Sequence, residues 1–173
     1  MPATFADLGV SARLVATLTR RGLTAPFPTQ EATLPDALAG RDIAGKAPTG
    51  SGKTLAFGLV VATRAAEAGR ARPRRPRALV LAPTRELAAQ VQRELQALIE
   101  RDAGPVVAVY GGVGYGPQRK ALARGASAVV ACPGRLEDLI ASGAVDLRDV
   151  DLVVLDEADR MADMGFMPAV RRI

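Results

Sequence analysis

Ala47-Pro48-Thr49-Gly50-Ser51-Gly52-Lys53-Thr54 is the stretch on which the reading of this chain turns. Two glycines in a run of small residues permit backbone angles that a Cβ would forbid, so successive N–H groups can turn toward one anion. Lys53 adds a point charge there, and Thr54 a hydroxyl. Thr54 to Ala62 then reads as a helix, whose N-terminal partial charge also favours phosphate. On the other side, Asp42-Ile43-Ala44-Gly45-Lys46-Ala47 reads as a short buried strand. Strand, loop and helix in that order are the context a P-loop requires, with Ala47 standing where the usual pattern has glycine.

Composition sets the outer bounds. With 173 residues, 49% of them hydrophobic, the chain can bury the core of one compact domain. Its net charge of +5 suits a polyanionic partner. There is one Cys and no His. A disulfide framework, a His-containing zinc site and a Ser-His-Asp triad are therefore excluded within these residues. Any chemistry must come from carboxylates, Lys, hydroxyls or a bound metal. No apolar run approaches the roughly 20 residues needed to span a bilayer, and Met1 to Asp7 lacks the basic flank and apolar centre of a signal sequence. The expectation is no membrane association and a reducing, cytoplasmic setting.

Along the chain, Ser11 to Arg21 carries Leu14, Val15 and Leu18 at helical spacing, with Ser11 placed to cap. A second helix is predicted from about Thr29 to Leu38, after Pro26-Phe27-Pro28. These form an N-terminal helical region, 1–40, expected to pack on a nucleotide-binding core, 41–173. Gly69 to Arg77 is a basic, Pro-punctuated loop for which nucleic-acid contact and a solvated connection are equally open. Then Ala78–Ala82, Val106–Tyr110, Ala128–Ala131 and Leu152–Leu155 recur as short apolar runs separated by helical patterns. The clearest helix is Glu86 to Arg101, with Leu87, Val91, Leu95, Leu98 and Ile99 on one stripe. Apolar strands alternating with helices predict an α/β fold whose parallel sheet has helices on both faces, with ligands at the C-terminal strand ends.

The residues that carry chemistry fall at those ends. Asp156-Glu157-Ala158-Asp159 follows the last strand. By itself this is an ordinary acidic helix start. Joined to a P-loop it becomes a magnesium and water site, with Thr54 and Asp156 as hard oxygen ligands and Glu157 placed to orient and deprotonate an attacking water.

Taken together, these residues resemble the first RecA-like domain of a DEAD-box ATP-dependent RNA helicase, closest in flavour to bacterial RhlE-like members, and the resemblance covers nearly the whole chain. Gly22-Leu23-Thr24-Ala25-Pro26-Phe27-Pro28-Thr29-Gln30 resembles the Q motif, with Thr29 where Ile is usual and Phe5 as the aromatic upstream of it. In that family the glutamine reads adenine and the aromatic stacks on it; a side-chain amide can pair with both N6 and N7. Read without the resemblance, they are a helix-capping Gln and a core Phe. Pro83-Thr84-Arg85-Glu86-Leu87 resembles motif Ia, Gly111-Gly112 the GG element, and Cys132-Pro133-Gly134-Arg135 the TPGR element with Cys for Thr. Cys132 reads as a small packed residue and not a nucleophile.

The resemblance implies ATP and Mg²⁺ as cofactors. It assigns nucleotide binding to Phe5, Gln30, Ala47, Thr49, Gly50, Ser51, Gly52, Lys53 and Thr54, and catalysis to Lys53, Asp156 and Glu157. RNA would be held by its backbone through Thr84, Arg85, Gly111, Gly112, Gly134 and Arg135. It also implies a RecA-like P-loop NTPase domain incomplete at its C-terminus, since Ile173 precedes the family's Ser-Ala-Thr motif. The second RecA-like domain with its arginine fingers would be required for activity, so the 173 residues alone are expected to be inactive or very weak, and unstable. If the elements keep the family's order, Ile43–Ala47 and Leu152–Leu155 do not pair directly but stand two strand spacings apart, roughly 9 to 10 Å. Two alternatives stay open: a non-catalytic nucleotide-binding interaction module, and a different P-loop ATPase or kinase, which nucleotide-base preference would discriminate.

Overall fold

The N-terminal helices form where capping chemistry and apolar spacing coincide. In the computed structural model, which describes residues 3–99 and 103–173, α1 (Ala12–Arg20) opens with the Ser11 hydroxyl accepting from the Leu14 N–H at 3.4 Å and buries Leu14 and Leu18. Its turn closes at Gly22, φ +74°. Helix α2 (Pro28–Leu38) begins on a proline, whose missing N–H is no loss in a first turn. Gln30 is its cap: Oε1 accepts from the Phe27 N–H at 2.9 Å.

Residues 41–50 correct one expectation. No strand forms there; these residues are exposed apart from the half-buried Ala47. A strand persists only where its backbone groups find a ladder partner, and Arg41, Asp42, Gly45 and Lys46 leave Ile43 as the one large apolar side chain in the run. Helix α3 (Lys53–Ala68) follows, 16 residues long and so longer than the spacing alone predicts. Two compact units divide the chain, residues 1–63 and 64–173, and the division falls inside α3. The phosphate loop thus belongs with the N-terminal helices and not with the sheet, whereas the reading from sequence draws the line after residue 40.

In the second unit the basic run is an anchored turn. Arg72 and Arg75 form an antiparallel bridge, the Arg74 N–H donates to the Leu122 carbonyl at 2.9 Å, and Arg75 pairs with Asp146 at 3.2 Å and Asp149 at 3.3 Å. This turn leads into the start of β1 (Ala78–Leu81), at the opposite end of the sheet from the motifs.

From there strands and helices alternate as expected: α4 (Arg85–Gln96), β2 (Val106–Val109), α5 (Tyr115–Ala123), β3 (Ala128–Ala131), α6 (Pro133–Ala141), β4 (Leu152–Leu155), α7 (Ala158–Asp163) and α8 (Met167–Arg172). Within the described four-stranded sheet the pairings are parallel and the order is β2-β3-β1-β4. Leu79, Leu81, Val107, Val109, Val129 and Ala131 point to one face, packed under Leu122 of α5, Leu136 and Leu139 of α6 and Met161 of α7. Helix α4, whose buried Ala88, Val91 and Leu95 lie outside that cluster, rests on β2 and β3 and covers the alternate face. It also guards the β2 edge, where Gln92 Nε2 donates to the Val106 carbonyl and Gln96 Oε1 accepts from the Val106 N–H.

Coverage on both faces fails at β4. Among the described residues this strand pairs only with β1, at the margin of the sheet, and Val153 and Leu155 are 56% and 43% exposed. Residues 43–47 take part in no ladder among the described residues, so the expected two-strand spacing has no strand on one side to which it could apply. No described helix is long and apolar enough to cross a membrane.

Candidate nucleotide and RNA site

The phosphate loop is built around two glycines in the left-handed region, Gly50 at φ +83° and Gly52 at φ +81°. Gly52 is constrained twice, because a Cβ there would lie 2.3 Å from Gln30 Nε2 and 2.9 Å from Phe27 Cδ2. Gln30 Nε2 donates to the Gly52 carbonyl at 3.1 Å, tying α2 to the loop. Lys53 Nζ donates to the carbonyls of Ala47 at 2.5 Å and Pro48 at 2.9 Å, so the lysine lies across the loop at the head of α3. Ser51 Oγ is buried with no hydrogen-bond partner among the described residues, while Thr49 and Gly50 are exposed and Thr54 is half-buried in the first turn of α3. The leading N–H groups of that turn lie outside the helical ladder. An orphaned hydroxyl, glycine-shaped backbone and helix-start N–H groups together fit a polyphosphate.

Gln30 and Phe5 are placed as the residues alone suggest. Phe5 is only 2% exposed, a core ring with no open face for a base. Gln30 is fully buried and spends its amide on the Phe27 N–H and the Gly52 carbonyl. The exposed aromatic beside the loop is Phe27, 50% exposed, which sequence reasoning did not single out.

In the second unit the parallel register brings the remaining motifs to one end of the sheet. Thr84 caps α4 by accepting from the Leu87 N–H at 3.2 Å, and Arg85 lies beside the turn after β2, its Nη1 3.2 Å from where a Cβ on Gly112 would stand. Gly112, at φ +80°, thus needs to be glycine for its backbone, the exposed Arg85 side chain being able to move aside. Gly111 and Gly134 are exposed. Arg135, in the first turn of α6, donates to the Val113 carbonyl at 2.9 Å. Cys132 precedes it, its thiol pushed up to about 11 by burial and then by the Glu86 charge, so it is protonated and no nucleophile at neutral pH. The Asp156 N–H donates to the Leu81 carbonyl at 2.9 Å, and its side chain is buried.

A family model described as DEAD/DEAH box helicase matches residues 27–173. The chain belongs to that family. It is 49% identical over 175 residues to DEAD-box ATP-dependent RNA helicase 3A, chloroplastic, of Zea mays, covering 97% of this chain and 23% of the relative. It is 50% identical over 152 residues to ATP-dependent RNA helicase DBP3 of Phaeosphaeria nodorum, covering 88% of this chain and 26% of the relative. Among solved structures, the RNA helicase Prp28 of Chaetomium thermophilum bound to ADP superposes with a TM-score of 0.89 at 39% identity, over 99% of this chain and 43% of that one. The fold is therefore an α/β RecA-like domain, and the chain spans about a quarter of the length of these curated relatives. These relatives are a plant and fungi, which gives no support to a bacterial RhlE-like placement within the family.

Within this helicase domain, Glu157 has a geometry that its sequence context did not announce. It sits at φ 50°, ψ 49°, left-handed for a residue with a side chain, and Arg160 Nη1 donates to its Oε2 at 3.1 Å. Such backbone strain clusters at working residues. Glu157→Gly is expected to relieve it and stabilise the second unit by ~0.5–1 kcal/mol while removing the carboxylate. Denaturant melts of the two proteins check this, and a destabilised glycine variant would refute the strain.

Proposed function

We propose that this domain binds ATP through the 47–54 loop and RNA through the turns after β1, β2 and β3, as the N-terminal ATP-binding part of a machine that couples ATP turnover to RNA strand separation. The observation that carries the reading is the parallel register, which brings Thr84–Arg85, Gly111–Gly112 and Gly134–Arg135 to one end of one sheet. Every group offered there suits a sugar-phosphate backbone: a helix start, exposed glycine backbone and guanidinium N–H. None reads a base edge.

When bound, ATP brings phosphate oxygens for Lys53 and the loop N–H groups, and Mg²⁺ charge neutralisation. Thr54 and Asp156 are the oxygen donors we assign to the ion. An ion of this kind is held largely by phosphate oxygens and water, with one or two protein oxygens. Glu157 is the assigned base, its carboxylate steadied by Arg160. The second RecA-like domain, a cytoplasmic location for a chain with a single cysteine, and the unwinding activity belong to the same proposal.

Binding experiments test it. Single-stranded RNA should bind weakly, without sequence preference, and with affinity falling as salt rises, by about 0.7 in log–log slope per phosphate contacted. ATP should bind in preference to GTP, the Gln30 amide, buried in the free domain, becoming open to the base on binding and using its second donor hydrogen and second acceptor lone pair on adenine. Equal affinity for the two nucleotides would remove that role and leave Gln30 as the tether of Gly52. Hydrolysis by the 173 residues alone should stay near background, an arginine supplied from a partner domain being worth about 10³ to 10⁵ in related systems.

A further inference from the structure

Arg135 is not held by hydrogen bonds alone. Its guanidinium lies 3.9 Å from the centre of the Tyr115 ring, and the tyrosine hydroxyl donates to Asp138 Oδ2 at 2.7 Å. Asp138 is three residues beyond Arg135 on α6, so one aromatic side chain at the start of α5 grips two successive side chains on one face of the neighbouring helix. Arg119, one turn along α5, brings a second guanidinium to 5.6 Å from the same ring. An exposed tyrosine, 40% accessible, is not needed for the core, and an arginine tethered this way loses rotamer freedom that a solvent-facing side chain normally keeps.

The geometry is productive for anion binding. Stacking takes the flat face of a guanidinium and leaves its edge donors available. One of the five N–H groups of Arg135 goes to the Val113 carbonyl, and the others stay on the rim of the plane. The same contact joins the Gly111–Gly112 turn, which leads directly into Tyr115, to the first turn of α6. We infer that Tyr115 is a positioning residue for RNA: it fixes the plane of Arg135 toward a backbone phosphate and holds the turn after β2 in register with the turn after β3. This rests on the proposed RNA contact of Arg135.

RNA titrations over a range of salt concentrations, using a fluorescent oligouridylate and the full chain, separate the two claims. Arg135→Ala tests the contact, and Tyr115→Leu tests the positioning. The expected result is that Y115L lowers affinity about as much as R135A, that each reduces the log–log salt slope by about 0.7, and that the double variant is no weaker than either single one. Tyr115→Phe keeps the ring and should restore most of the slope. Proton NMR of the free protein gives a readout without RNA: the Arg135 side-chain resonances, shifted upfield by the ring, should move to ordinary positions in Y115L. If R135A weakens binding while Y115L binds with the original slope, the positioning role is wrong and the contact stands. If R135A changes nothing, the contact is wrong and the inference falls with it. Additive losses in the double variant would also overturn it. Should Y115L not fold, Asp138→Ala releases the hydroxyl at an exposed site and carries the same expectation at smaller amplitude; an unchanged slope there overturns the inference.

Discussion

Gly52→Ala is expected to lower ATP affinity by about 100-fold, equivalent to ~2.7 kcal/mol, and to destabilise the first unit by ~2–5 kcal/mol. Two effects add. A side chain at φ +81° pays the left-handed penalty, ~1–2 kcal/mol. The new methyl would also stand 2.3 Å from Gln30 Nε2, an overlap that forces repacking worth ~1–3 kcal/mol. A long amide could normally swing aside, but this one is pinned at both ends, to the Phe27 N–H and the Gly52 carbonyl. Moving it uncaps α2 and frees the loop that faces the phosphates. Gly50→Ala supplies the control, because Gly50 has a similar φ of +83° but no atom within 4 Å of the position its Cβ would take. It should pay only the backbone term. Calorimetric ATP titration and denaturant melts of both variants decide the matter; equal losses at 50 and 52 would show that the Gln30 tether does not matter.

A comparable loss of stability is expected from Gly125→Ala, far from either proposed ligand. Gly125 is buried at φ +87°, and a Cβ there would meet the Ala71 carbonyl oxygen at 2.5 Å and that of Arg72 at 3.3 Å. Backbone cannot rotate out of the way as a side chain does. The turn bearing those carbonyls is moreover held by the Arg74 N–H on Leu122, the Asp146 N–H on the Arg74 carbonyl, and the Arg75 ion pairs. The left-handed term and the overlap together give ~2–5 kcal/mol. Gly143→Ala, at φ +66° in open space, should lose only the first part. Arg75→Ala should couple to Gly125→Ala, each change costing less in the presence of the other, since both release the same turn. A melting curve for G125A that matches G143A would show that the turn is not fixed as described.

What the chain's own sequence determined is local. The loop at 47–54 is legible because two glycines, a lysine and a hydroxyl act within a few residues of one another, and Gly50 and Gly52 do adopt the angles that only glycine takes readily. The strands from Ala78, Val106, Ala128 and Leu152 are legible because short Val-rich runs bounded by turns have few other ways to bury themselves. Ser11 and Thr84 cap the helices they precede, again through contacts three residues away.

Tertiary structure decided whatever depends on residues distant in the chain. Residues 42–47 have a strand's apolar character in part, but ladder pairing is a non-local matter and no described strand pairs with them. Phe5 and Gln30 carry a motif's spacing, yet how open a ring or an amide is to a ligand depends on what packs over it, and both are buried. Tyr115 and Asp138 are 23 positions apart, and nothing in either neighbourhood predicts that β2 and β3, by pairing in parallel, set α5 beside α6 and lay Arg135 on the ring. Glu157 was recognisable as a carboxylate at a strand end. Its left-handed backbone was not, because that conformation is imposed by the turn joining β4 to α7 and is not a preference of glutamate.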